Sequence, residues 1–318
     1  MNTDSTANVN PTRVEELWFA DGNVVIQAGN SLFRVTKGIL AARSSTFCDL
    51  FALPQSGDFE TVDGCPFVRL PDSAEDATAF LRAVFDSSFF ERPPNPTTLS
   101  DILGILRLSH KYDVAYLRRR ALLHLETRYP TTLEAYDASP TAATFDVTNH
   151  SDHLLVARLA MQVDAPWICP AALYSACCAN IESICGLDSG DPRVPDFLPK
   201  AWIIGCAKQH QAYASRPSYY VYIMLPSTRR TCLRPEFCIE VAAKLVDLMA
   251  VGDYRAWPDP LKTWRLEATA ARPWCGHCLD VSRPKCATYR VEWWSCMPLN
   301  YGFPSWPELL AIRDAALS

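Results

Sequence analysis

Residues 19–51 read FADGNVVIQAGNSLFRVTKGILAARSSTFCDLF, and this stretch decides the fold. Asp21-Gly22 is a turn signal, and Val24-Val25-Ile26 is apolar and β-branched. Gly29-Asn30 punctuates again, and Leu32-Phe33-Arg34-Val35 reads as a second strand. Two such runs joined by Gly and Asn predict a β-hairpin or short meander, because these residues accept the backbone angles of tight turns. The period then changes. Ile39, Leu40, Phe47, Leu50 and Phe51 fall on helical faces, interrupted near Arg43-Ser44-Ser45, where Ser44 or Ser45 can cap a second short helix. A hairpin feeding a broken apolar helix pair makes a compact core of its own.

Working outward, residues 1–12 are polar and read as a disordered terminus. Leu17-Trp18-Phe19 is a short strand before the hairpin. The Gly-, Asp- and Pro-rich segment 54–65 reads as a loop, and Phe67-Val68-Arg69-Leu70 as a further strand. Asp72 or Ser73 can cap a helix over residues 74–85 with Phe80, Leu81, Val84 and Phe85 inward. After the stiff loop Pro93-Pro94-Asn95-Pro96, Ser100 opens a helix with Ile102, Leu103, Ile105 and Leu106 as its apolar stripe. Tyr112-Asp113-Val114 breaks that stripe, and a helix over residues 115–129 follows, with Arg118-Arg119-Arg120 on its wet side. Residues 131–152 lack sustained periodicity and read as a linker. Residues 153–318 are mostly helical in pattern, and Ser305-Trp306-Pro307-Glu308 fits a capping box.

The 318-residue chain suits two domains or one large one, and a hydrophobic share of 49% supports a sizeable core. A formal net charge of -5 offers no global basic surplus for nucleic acid. No apolar run approaches membrane-spanning length. The first residues have neither the basic nor the apolar region of a signal peptide. With 13 cysteines and no secretory signal, the expectation is an intracellular protein, cytoplasmic or nuclear, with Cys as core filler or metal ligand rather than disulfide.

Two segments carry a family likeness. Phe33-Arg34-Val35-Thr36-Lys37-Gly38-Ile39-Leu40-Ala41-Ala42-Arg43-Ser44, followed by Phe47 and Phe51, resembles the F-x-V-H-K, V-L-A and S-x-x-F signature of the BTB/POZ interaction fold. Leu108-Ser109-His110-Lys111-Tyr112-Asp113-Val114 resembles that family's A-x-K-Y-D segment. The likeness covers about residues 13–130. Further on, Cys275-Gly276-His277-Cys278, Arg290, Trp293-Trp294, Met297-Pro298 and Tyr301-Gly302-Phe303 are similar to the tail of fungal BTB proteins of the mushroom lineage.

The resemblance implies an α+β fold: a BTB/POZ domain over 13–130, then a helical C-terminal region over 153–318. It implies a non-catalytic protein–protein interaction module that homodimerises through its first helix and N-terminal strand. Leu17, Trp18, Phe19, Leu40, Phe47 and Phe51 are then candidates for the interface or the core just beneath it. An alternative is a substrate adaptor that docks a cullin-type ubiquitin ligase through residues 52–59 and 110–116. Thr36 stands where the family has His. Asn23 stands where the repressor branch carries an acidic residue, so co-repressor recruitment through such a pocket is not expected.

The sharpest chemical motif is Trp274-Cys275-Gly276-His277-Cys278. One reading is a thiol–disulfide oxidoreductase, which needs a buried strand before the Trp and a helix starting at the first Cys. The upstream Leu266-Glu267-Ala268-Thr269-Ala270-Ala271-Arg272-Pro273 is no such strand, and the downstream segment 280–284 reads as a loop. A second reading is one half of a closed structural zinc site, since two thiolates on a tight turn match tetrahedral zinc geometry. Cys232 and Cys286 are the expected remaining ligands, with Cys238 in place of Cys286 as the other choice. A third leaves the thiols merely packed near a loop. Arg272, Arg283, Lys285 and Arg290 flank the motif, but no helix there has the dense basic face of a DNA reader. His150 and His153 could share a helix face, although capping by Asn149 or Asp152 explains that segment as well. No phosphate-binding glycine loop and no H-E-x-x-H occur.

Overall fold

The computed structural model describes residues 11–53, 60–177, 199–214, 231–240, 243, 261 and 275–318. In it, β2 (Val24–Ala28) and β3 (Ser31–Val35) form the hairpin that their pattern predicts, antiparallel with Ile26 opposite Phe33. Gly29, at the turn, has φ 54, and a Cβ there would stand 3.2 Å from the backbone nitrogen of Ala74. That combination of angle and close approach requires glycine. β1 (Thr12–Trp18) lies parallel to β3, β5 (Cys65–Leu70) parallel to β2, and β4 (Thr61–Val62) antiparallel to β5. The five-stranded order is β1-β3-β2-β5-β4. Val24, Val25, Ile26 and Ala28 of the central strand are all buried, which is why the run reads as continuously apolar.

Two differences from the sequence reading concern edge strands. β1 starts at Thr12 rather than at Leu17, because Arg13, Glu15 and Glu16 make its outer part look like loop. β4 falls inside the segment read as loop and is too short to show a period. Residues 1–10 and 54–59 lie outside the described residues.

Helices α1 (Lys37–Arg43) and α2 (Ser45–Ala52) follow the hairpin. Ser44 is the residue that caps α2, its hydroxyl accepting from the Phe47 N–H at 2.9 Å. Asn23 gains a role here, since its side-chain oxygen accepts from the Lys37 N–H at 2.8 Å and so satisfies the start of α1. Ser73 caps α3 (Ala74–Phe85), as expected, and Thr98 rather than Ser100 caps α4 (Leu99–Lys111). α5 (Ala115–Arg128) completes the set.

The two motif segments meet at one corner of this unit. The Ser44 hydroxyl donates to the Tyr112 carbonyl, and Ser45 donates to the Asp113 carboxylate at 2.5 Å. Phe47 stacks on Tyr112 with ring centroids 4.6 Å apart. Lys111 and the Tyr112 hydroxyl both bond Asp72. The three arginines of α5 are half-buried, not the wet face that the charge run suggests. Arg120 donates to the Phe90 carbonyl and lies over the Tyr116 ring, its long stem covered by neighbours.

The chain divides into two compact units, one of residues 1–128 with 140–146 and 317, the other of 129–139 with 147–316 and 318. The segment read as a linker contains α6 (Leu133–Ala142), whose Thr-, Ser- and Asp-rich surroundings and internal Pro140 hide its period. α7 (His150–Gln162) has Asn149 at its N-cap in a capping box with Asp152. A 3-10 turn (Pro166–Ile168), α8 (Cys169–Cys177) and α9 (Lys200–Ala214) follow. Cys177 and Cys206 are disulfide-bonded with Cα atoms 5.6 Å apart, joining α8 to α9. The expectation of thiols only is corrected at this pair. Cystine pairing depends on tertiary proximity, which spacing does not encode.

α10 (Gly276–Asn300) and α11 (Trp306–Leu317) close the chain. Trp294 and Trp306 stack at 5.2 Å, and the Trp306 indole N–H donates to the Trp294 carbonyl at 2.8 Å. The predicted capping box is present, with Glu308 accepting from the Ser305 N–H at 2.9 Å. No helix among the described residues is long and apolar enough to cross a membrane.

Candidate metal centre

Two short pieces of chain bring four cysteines together. Cys275 is the N-cap of α10, with extended backbone (φ -65, ψ 152), and Cys278 lies in the first turn. This turn-to-helix geometry lets a C-x-x-C pair direct both sulfurs to one side. Cys232 precedes a helical stretch at 235–240, and Cys238 lies on that stretch. The four sulfurs lie within 4.8 Å of one another. The Cys232 sulfur is 3.7 Å from that of Cys275 and 3.5 Å from that of Cys278. All four residues are buried, and Phe237, Leu279, Cys286 and Tyr289 pack around them.

The electrostatics of the group suit a cation. Burial alone would push the Cys275 thiol up, but backbone N–H groups of Cys278 and Leu233 and the neighbouring thiols draw it down to about 6. Burial then raises Cys278 and Cys238, and the adjacent sulfurs raise them further, since a second negative charge beside the first is unfavourable. A thiophilic dication removes that conflict by taking all four sulfurs as thiolates. The residues fit such an ion in donor type, number and enclosure.

The structure therefore brings Cys232, Cys275 and Cys278 together as the spacing suggested, and places Cys238, not Cys286, as the fourth. Cys286 lies eight residues beyond Cys278 on the same helix, about 12 Å of helical rise away. It is half-buried against the cluster, with its thiol raised by burial. His277 lies in the knuckle and is not among the grouped ligands. Residues 280–284, read as a loop, are helical, so as a dithiol motif the segment has its helix in the required place, but Cys275 is only 2% exposed and faces three other sulfurs. Residues 262–274, including Trp274, lie outside the described residues.

The other singled-out residues are placed as follows. Leu17, Leu40 and Phe47 are core residues of the first unit, whereas Trp18, Phe19 and Phe51 are half-buried. Of the suggested cullin-docking face, Leu53 is exposed, Tyr116 packs under Arg43, and residues 54–59 lie outside the described residues. His153 is buried, with Nδ1 2.8 Å from the Tyr129 hydroxyl. His124 is fully buried, with Nδ1 2.7 Å from the Thr144 hydroxyl and Nε2 2.7 Å from the Glu91 carbonyl. Comparison with protein-family models, curated proteins and solved structures gives no match.

Proposed function

We propose that this chain is a non-catalytic interaction protein, a homodimerising BTB/POZ-type module followed by a helical region built on a structural zinc. The observation that carries the metal half is the closed set of four buried cysteine sulfurs at Cys232, Cys238, Cys275 and Cys278. Four thiolates saturate a tetrahedral ion and leave no position for substrate or water, which is the arrangement of a structural rather than a catalytic zinc.

The interaction half draws support from the corner where the Phe33–Phe51 and His110–Val114 segments meet. Residues that prompted the resemblance bond there, Ser44 to Tyr112 and Phe47 against the Tyr112 ring, and the neighbouring Ser45 bonds Asp113. The edge strand β1 and the first helix, where Ile39 is 42% exposed, supply surface for a two-fold contact. Size-exclusion chromatography with light scattering on the full chain tests this half. A dimer at micromolar concentration is expected, and a strict monomer contradicts it.

A further inference from the structure

Ser282-Arg283-Pro284 has the make-up of a helix beginning, yet it lies inside α10. A hydroxyl residue followed by proline is a start signal, because the hydroxyl can accept an orphan N–H and proline's missing N–H is harmless in a first turn. In a helix interior the same proline removes the bond to the carbonyl four residues back and crowds it. The helix nevertheless runs for 25 residues with Pro284 inside. Backbone preference alone does not explain the alignment of 276–283 with the rest.

The two sides of Pro284 are anchored differently. Beyond it, Arg290 bonds the Leu261 carbonyl at 2.8 Å and the Asp137 carboxylate, Trp294 stacks on Trp306, and Met297 is buried. Before it, the described anchors are the sulfur cluster, with Leu279 packed against it, and the buried Ser282. That small core holds four cysteines and a few half-buried neighbours. Something must offset the entropy of ordering two chain segments at this cluster. A metal–thiolate centre does, since its binding free energy is folding free energy.

We infer that metal binding orders residues 231–240 and the first two turns of α10 together, and that Pro284 is the boundary where metal-dependent order ends. The inference rests on the metal reading above and adds a regulation to it. Without metal, the helix begins at Ser282-Arg283-Pro284 and its distal part stays docked. Metal supply then controls whether the segment carrying Leu233, 72% exposed, and Phe237 is held on α10.

Hydrogen exchange read by mass spectrometry on the full chain, zinc-loaded and chelated, tests this, with zinc content read separately by native mass spectrometry on the same samples. Metal loss is expected to speed exchange roughly tenfold or more over 233–240 and 277–283, and by less than about twofold over 290–300 and 306–317. Unchanged exchange at 277–283 as zinc leaves overturns the inference while the metal reading stands. Equal acceleration through 290–300 overturns the boundary. A zinc-treated sample that holds no zinc overturns the metal reading and this inference with it. Pro284→Ala gives an independent arm: its metal-free form should exchange several-fold more slowly at 277–283 than the metal-free parent, and equal rates contradict the role of Pro284.

Discussion

Ser45 donates to the carboxylate of Asp113 across 2.5 Å, although 68 residues separate them. Asp113 has φ 53, in the left-handed region that Asp tolerates better than most residues. The bond and the backbone angle together close the corner between α2 and the α4–α5 turn. Asp113→Ala should destabilise the first unit by about 1–2 kcal/mol, the sum of a lost hydrogen bond and a strained Cβ. Asp113→Gly should lose less, since glycine relieves the strain. Urea unfolding of the two variants checks the order, and equal losses would show that the angle carries no strain.

Phe47 and Phe51 separate core from surface. Phe47 is fully buried against Tyr112 and Phe80, so Phe47→Ala should cost about 3–5 kcal/mol and lower the solubility of the chain. Phe51 is half-buried with its ring stacked 5.8 Å from that of Phe47, so Phe51→Ser should cost less stability than Phe47→Ala while weakening the proposed dimer. Light scattering across a dilution series reads the second effect. An unaltered dimer would remove Phe51 from the interface.

His124 gives the first unit a pH dependence of known sign. Burial holds its imidazole below the ordinary value of 6.5, and the nearby Arg120 adds to that, against the opposing bond to the Glu91 carbonyl. The unfolded chain therefore binds a proton at a pH where the folded chain does not. Stability from this residue is intact above about 6.5 and is lost as pH falls from there through the lower folded value. The urea midpoint should drop between pH 7.5 and 5.5, and the His124 ring should titrate below the ordinary imidazole value of 6.5. A ring that titrates at or above 6.5 would contradict the assignment.

The bond between Cys177 and Cys206 closes a separation of 29 residues, worth about 3–4 kcal/mol by loop-closure entropy. Cys206→Ala should lower the stability of the second unit by an amount of that order. Thiol labelling of denatured, unreduced protein should leave Cys177 unmodified. Full labelling of Cys177 would show the pair to be reduced in solution.

Much of the first unit was legible because its periods are strong and its punctuation is chemical. Val24-Val25-Ile26, the Gly29-Asn30 turn and the Ser73 cap each act over a few residues. What stayed hidden depends on distance in space. β1 is an edge strand whose charges imitate a loop, and α6 contains a proline. The arginines of α5 looked solvated because a long stem can be covered without any change in sequence pattern. In the metal centre, Cys275 and Cys278 were legible as a local pair. Whether Cys238 or Cys286 joined them depended on which segment the fold returned to the knuckle.

The zinc-to-protein ratio of the purified full chain, measured for the parent, Cys238→Ser and Cys286→Ser, tests the account at its centre. One zinc per chain in the parent and in Cys286→Ser, with binding weakened at least about tenfold in Cys238→Ser, is the predicted result. A parent without zinc, or a Cys286→Ser chain that loses it while Cys238→Ser keeps it, would contradict the account.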